Sequence, residues 1–382
     1  MTHKVAIVGT GADPDNPDTD GYAMAYRHAD AYDRLESCRL HACADIVIDN
    51  ARRFAEEYSI PEDRVYEAYE RMLEEVEPDV VSVCVPPAIH AEIVIGCAES
   101  GVVNAIHCEK PMASTWKECR EMVRVCEAHD VRLTFNHQRR FGYPFRKAKT
   151  LLERGEVGEL RRIEVGGDNL YDYGSHLFDL CGYFTDQEPV EWVLGQIDYS
   201  TKNVQFGMHN ENQALVQWEY RNGVKGLAST GTGSLLRSQM RLVGDEGVVE
   251  IGHQEGPPLR FRSTSTDGWL TVDTEGDTIH GPTTTRFVAA VQLVGARLPL
   301  VSPDRLPSGN PTFIDRAIED VIQSLDEGRE SELSAANALQ ATELIFAAWE
   351  SARRRGRVSL PLEIDSNPLK ELVEAGELPV TA

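Results

Sequence analysis

The feature that most constrains this fold is a rhythm in the first third of the chain. Between residues 3 and 137, short apolar runs alternate with amphipathic segments. The runs read HKVAIVG, RLHACAD, VVSVCV, VNAIHCE and RLTFNH, and they are rich in β-branched residues. A strand that is apolar on both faces has to be covered on both, as parallel strands are. Between the runs, Asp49–Tyr58, Ile89–Ser100 and Thr115–His129 place apolar residues at helical spacing. Repeated strand–helix–strand units predict an α/β fold built on a doubly wound parallel sheet, the Rossmann arrangement.

After residue 155 the pattern becomes that of antiparallel strands: VEWVLGQIDY, NQALVQWEY, VKGLAST, MRLVG and VVEIG. RNG at 221–223 and DEG at 245–247 fall between pairs of them, where hairpin turns belong. Helices are expected over Thr312–Asp326 and from about Ser334 to Arg355, the second ending in RRRGR, a basic C-terminus that its dipole favours. The expected division is a dinucleotide-binding domain over 1–137, a second α+β domain with an open, mostly antiparallel sheet over 138–364, and a tail over 365–382 that straps the surface.

Composition narrows the function. The chain has 382 residues, enough for two domains. No apolar run approaches the roughly 20 residues of a membrane span, and MTHKVAIVGTG enters a strand pattern with no signal peptide ahead of it. A soluble, cytoplasmic protein is expected. A net charge of −24 argues against nucleic acid and anionic membranes as partners. Eight lysines stand against thirty arginines, and an acidic, lysine-poor surface suits concentrated salt. There the Debye length falls to about 3 Å and self-repulsion costs little, so a halophilic cytosol is expected. The eight cysteines form no C-x-x-C pair and mostly sit in apolar runs, which reads as buried thiols.

The first strand leads into Gly9-Thr10-Gly11, the opening half of a G-x-G-x-x-G fingerprint, but Pro14 stands where the third glycine belongs. An insert carrying Asp13, Asp15, Asp18 and Asp20 follows, which reads as a solvated loop, since no Glu stands at the twelfth position of a calcium loop. Asp45 ends the second strand, where a carboxylate takes the ribose hydroxyls of NAD and repels the extra phosphate of NADP. It can also cap the next helix, and the two roles are compatible. In NLYDYGSHLFDLC, Asp172, His176 and Asp179 are spaced four and three apart, on one helical face. A metal site would need further His or Cys ligands that are not nearby. A helix cap at Asp172, a salt-bridged surface, and a general base with its partner all remain open readings.

Two further stretches, VCVPPAIHAEIV at 83–94 and HCEKPMA at 107–113, stand at the ends of strands. With GELRRIE and DYGSHLFDL they resemble the glucose–fructose oxidoreductase and inositol dehydrogenase family, over about residues 3–362 and in the same order. The resemblance implies a sugar or polyol dehydrogenase using NAD or NADP, of which Asp45 favours NAD, and a homodimer or homotetramer formed through the second sheet. It implies that Lys110, Asp172 and His176 are catalytic. His176 would be the general base, Asp172 the partner that orients it or the substrate, and Lys110 the donor that polarises the reacting oxygen, aimed or kept charged by Glu109. It implies that Pro86, Pro87, His90 and Glu109 line the cofactor cleft, and a cis Lys110–Pro111 peptide is expected. Asp179 is expected to pair with an arginine. An NAD-retaining glycosidase and a non-catalytic NAD-binding sugar sensor are the alternatives on the same fold. One departure matters: the family's long segment between GELRRIE and Asp172 is short in this chain, so the cleft is either more open or covered by another loop. His137, Arg139, Arg140, Asn169, Tyr171 and Tyr173 are the candidates to shape the substrate pocket. Arg139 and Arg140 would bind a carboxylate or phosphate on the substrate, or else bridge the two domains.

Overall fold

The computed structural model describes residues 2–11, 23–283 and 311–378. Pro14 and the acidic insert lie outside the described residues. The N-terminal part runs β1 (His3–Val8), α1 (Met24–Asp33), β2 (Cys38–Ala44), α2 (Ile48–Glu57), β3 (Val65–Tyr66), α3 (Tyr69–Val76), β4 (Val80–Val83), α4 (His90–Glu99), β5 (Ala105–Cys108), α5 (Trp116–Ala128) and β6 (Arg132–Phe135). Its six strands are parallel in the order β3-β2-β1-β4-β5-β6. Both faces are covered, as the apolar runs required: Val5 and Ile7 of β1 pack with Tyr26, Tyr32 and Phe54, while Ala6 and Val8 pack into the opposite layer with Val81 and Val83. The strand order reverses between β1 and β4, so the loops after them diverge and open a crevice at the strands' C-terminal ends.

The chain continues with α6 (Tyr143–Glu153), β7 (Leu160–Gly167), α7 (Gly174–Phe184), β8 (Val190–Asp198), a two-residue pair β9 (Val204–Gln205) and β10 (Met208–His209), then β11 (Gln213–Tyr220), β12 (Lys225–Gly231), β13 (Ser238–Gly244), β14 (Gly247–His253), β15 (Leu259–Ser263) and β16 (Leu270–Thr271). With β17 (Val358–Ser359) these build a nine-stranded sheet, β16-β15-β14-β13-β7-β12-β11-β8-β17, in which only β7 and β12 run parallel. RNG and DEG turn the β11–β12 and β13–β14 hairpins. On β11, Ala214, Val216, Trp218 and Tyr220 are buried while Leu215 and Gln217 are exposed, so one face of the sheet is core and the other is open.

The last third stitches the two sheets together. Helix α8 (Phe313–Glu327) starts with a Thr312/Asp315 capping box and lays Ile314, Ile318 and Ile322 against α1. Helix α9 (Ala335–Arg354) is buried along most of its length, with Phe346 and Trp349 packed on Tyr171. Its terminal Arg353 and Arg354 pair with the buried Glu350, so they answer a carboxylate as well as the helix dipole. The tail is not a loose strap. Residues Pro368–Glu374 form α10, capped by Asn367, with Leu369 and Leu372 buried, because two apolar side chains at helical spacing have a core to enter. Among the described residues no helix is long and apolar enough to cross a membrane. All eight cysteines are free thiols and six are buried.

Candidate active site

The crevice begins at Gly9. Its φ is +84°, and a Cβ there would meet Val85 Cγ1 at 2.4 Å, so only glycine lets the β1 loop approach the β4 loop this closely. Asp45 stands at the end of β2. One of its oxygens accepts from Thr10 Oγ1 at 3.1 Å and from the Gly11 N–H at 3.0 Å, and the other accepts from the Val47 N–H at 2.8 Å. Asp45 thus holds the glycine loop rather than capping α2, whose N-cap, Val47, has no side-chain bond. Beside it Ile46 is 83% exposed, an apolar side chain facing outward at the crevice rim.

Strand β5 ends in Glu109 and Lys110, and the Lys110–Pro111 peptide is cis. Glu109 does not aim the lysine side chain. It is buried, accepts from Asn136 Nδ2 at 2.7 Å and meets His28 Nε2 at 2.8 Å. Burial works against a charge on His28, but Cys84 and Glu109 outweigh it and raise its pKa; burial would raise Glu109, but His28 and Asn136 hold it down. The pair is therefore ionic and sits beneath Lys110. His28 and Asn136 escaped the sequence reading because a lone histidine on α1 and an asparagine after β6 carry no local pattern.

From the other sheet comes the loop that precedes α7. Asn169 Oδ1 ties that loop by accepting from the Tyr173 N–H at 2.9 Å, and a Cβ on Gly174 would lie 2.5 Å from the Asn169 carbonyl. The N-cap position is Tyr173 and no side chain caps the helix, so the cap reading of Asp172 does not hold. Asp172 is free for another partner: Lys110 Nζ donates to its Oδ1 at 3.0 Å and to its carbonyl at 3.1 Å. No hydrogen bond joins Asp172 to His176 among the described residues; the side-chain partner of the carboxylate is Lys110. The loop is held from below by two residues the sequence reading missed. Asn210 Oδ1 accepts from the Asp172 N–H, and the fully buried Glu211 accepts from the Leu170 N–H and Trp349 Nε1.

His176 lies one turn into α7, 5% exposed, and its Nδ1 has no partner among the described residues. Burial, then the charges of Lys110 and Arg139, hold its imidazole well below the ordinary histidine range, so the ring is neutral. His137 lies beside it, with ring centres 5.8 Å apart, and is likewise pushed down by burial.

The remaining candidates separate. Arg140 is locked to Asp179, Nε to Oδ2 at 2.6 Å and Nη2 to Oδ1 at 2.8 Å, both residues buried. Tyr171 does not face a pocket: it is 1% exposed and its hydroxyl donates to the Ala113 carbonyl, because the loop needs an anchor between the sheets. His90 is also turned inward, its ring bridging the carbonyls of Val85, Pro111 and Met112, so it braces the crevice loops instead of lining them. Pro87 is buried at the start of a 3-10 turn, and Pro86 alone of the pair is exposed. Arg139 stacks on Tyr173 at 4.4 Å and donates to Gln239 Oε1. In place of the family's longer segment, residues 278–280 approach the site: Thr278 and Ile279 line a cavity of about 430 Å³ with Tyr173 and Gln239, and His280 feels the charge of Arg139.

The profile of an oxidoreductase family's NAD-binding Rossmann fold matches residues 3–137, and that of its C-terminal alpha/beta domain matches residues 160–360. The chain belongs to the Gfo/Idh/MocA oxidoreductase family. Among its relatives, the myo-inositol 2-dehydrogenase of Thermotoga maritima is 27% identical over 179 residues, covering 43% of this chain and 52% of that protein. The D-glucoside 3-dehydrogenase of Escherichia coli is 30% identical over 200 residues, covering 47% and 53%. The chain thus aligns with about half the length of these relatives. The solved aldose-aldose oxidoreductase from Caulobacter crescentus, complexed with glycerol, shares the fold, with a TM-score of 0.71 at 19% identity over 94% of this chain and 100% of that one. The crevice of this Gfo/Idh/MocA chain suits the family's dinucleotide. A glycine without room for a Cβ, a carboxylate at the end of β2 and an exposed apolar rim residue stand on its β1–β2 side, and Lys110 at the end of β5 lies near enough for its charge to act on the unpartnered imidazole of His176.

Proposed function

We propose that this protein is an NAD-dependent dehydrogenase that oxidises one hydroxyl of a sugar, polyol or sugar derivative. The observation that carries the reading is the junction of Lys110 and Asp172 at 3.0 Å, one from each sheet, with a neutral His176 one turn further on. Gly9, Thr10, Gly11 and Asp45 would hold the dinucleotide, with Asp45 against the adenosine ribose and unfavourable to an additional phosphate. When bound, the nicotinamide accepts the hydride released by the substrate carbon. Lys110 donates to the reacting oxygen and stabilises the negative charge that develops on it. Asp172 fixes where that ammonium points. His176, held neutral, has a free lone pair with which to take the hydroxyl proton, a role that contributes about 10²–10⁴ in rate. The relatives oxidise, by their names, inositol and glucosides, which suits a site built for a secondary alcohol.

The test is reduction of NAD, followed at 340 nm, with a panel of inositols, sugars and sugar acids. Lys110→Ala and His176→Ala are each expected to lower kcat by about 10²-fold or more; wild-type turnover in either variant overturns the roles of proton acceptor and oxyanion donor. Asp45→Ala is expected to narrow the preference for NAD over NADP, and tighter binding of NADP by the wild type overturns the reading of Asp45. With this reading goes a homo-oligomer contact on the open face of the nine-stranded sheet, where Leu194 and Leu215 are 44% and 49% exposed.

A further inference from the structure

Two arginines are buried among the described residues, and they are adjacent in sequence. Arg140 is neutralised by the Asp179 carboxylate in a two-point pair. Arg139 is 7% exposed and has no carboxylate at ion-pair distance among the described residues. Among the described residues its guanidinium makes one hydrogen bond, to Gln239 Oε1 at 3.2 Å, and stacks on the face of Tyr173 at 4.4 Å. A guanidinium carries five donors, and a buried cation without a counter-charge is destabilising. Acid is not scarce in this chain, which has an excess of 24 negative charges. The missing ion pair is therefore not a matter of composition: the carboxylate in the adjoining cavity, Asp168, is exposed and does not stand at ion-pair distance from Arg139.

The place lies between the candidate site and a cavity. Tyr173 and Gln239, the two residues that hold Arg139, line the cavity of about 430 Å³ on the second sheet. On its other side the charge of Arg139 reaches His176. The charges sum to a single excess cation: in the cavity lining Asp168 offsets Arg237, Lys110 is matched by Asp172, and His137, His176 and His280 are all pushed toward the neutral form, each by its burial first.

Building on the dehydrogenase reading, we infer that Arg139 is the counter-charge for a carboxylate on the substrate, so that the substrate class is a polyhydroxy acid, such as an aldonic or uronic acid, and not a neutral polyol. The planar fork of a guanidinium matches a carboxylate in shape, and one cation balances one carboxylate. A phosphate monoester, at about −1.5 to −2, would leave charge uncompensated.

The experiment compares sugar acids, their uncharged methyl esters, neutral polyols and sugar phosphates at one fixed ionic strength. It uses NAD reduction and, separately, the rise in Tm of the purified protein. The wild type is expected to favour an acid over its ester by about 10–100-fold in kcat/KM, the worth of one charge-assisted pair, and to gain more Tm from the acid. Arg139→Gln is expected to shrink that ratio mainly through KM, and Arg139→Lys to restore part of it. The acid–ester comparison in the wild type decides the matter even if the variants do not fold. Equal response to acid and ester, or preference for a phosphate, overturns the inference. Turnover of neutral polyols with none of acids overturns it and leaves the dehydrogenase reading standing. No NAD reduction with any compound overturns that reading, while the Tm comparison still decides for or against Arg139.

Discussion

Lys110 and Asp172 are 62 positions apart in sequence and 3.0 Å apart in space. Each motif is visible in the sequence, but their meeting is not, because spacing within one helix speaks only of neighbours on that helix. For the same reason Asp172 looked like the partner of His176, four residues on, when its partner lies on another sheet. Arg139 and Arg140 make the point again: two identical side chains differ in role because Asp179 reaches only one of them. Arg140→Met, which leaves the buried Asp179 with only the His137 ring at 3.7 Å in place of its guanidinium, is expected to lower stability to urea by about 3–5 kcal/mol. The neutral state of His176 gives a pH signature. A base whose pKa is depressed stays active as pH falls through the ordinary histidine range, so the acid limb of kcat/KM should lie below pH ~6.5. Arg139→Gln removes one of the charges that depress it, so the limb should move to higher pH.

At the scale of elements, the six parallel strands were readable because strands covered on both faces must be apolar throughout, and the hairpins because RNG and DEG mark their turns. Helix α10 carried a readable signal too, an Asn367 cap followed by Pro368 at the first helical position, yet its packing depends on apolar surface supplied by distant elements. The loop before α7 was less legible. Its hold on Asp172 comes from Asn210 and Glu211, which lie between strands of the second sheet and look like polar loop residues. Glu211→Ala orphans two buried donors, on Leu170 and Trp349, and is expected to destabilise the fold by about 3 kcal/mol. It should also lower kcat through the displaced Asp172, while NADH affinity, read by fluorescence titration, changes little, since Glu211 supports the second sheet's loop and touches none of the crevice residues after β1 and β2.

For the whole molecule, charge and assembly set the predictions. With 62 acidic against 38 basic residues, self-repulsion is strong in dilute buffer and screened in concentrated salt. Tm and activity are both expected to rise with KCl toward molar concentration; a maximum without added salt would overturn the halophilic reading. Leu194→Glu combined with Leu215→Glu puts charge on the open face of the sheet, and light scattering is expected to show a smaller assembly than the wild type. The arrangement of the last third of the chain has its own consequence. Since the ammonium rides on one sheet and its carboxylate on the other, the proposed chemistry would be interlocked with posture: a slackening of α8 or α9 that lets the lobes drift apart would disarm the lysine at the same moment it widens the crevice, so admission of a ligand and readiness to transform it would be alternatives that one movement exchanges.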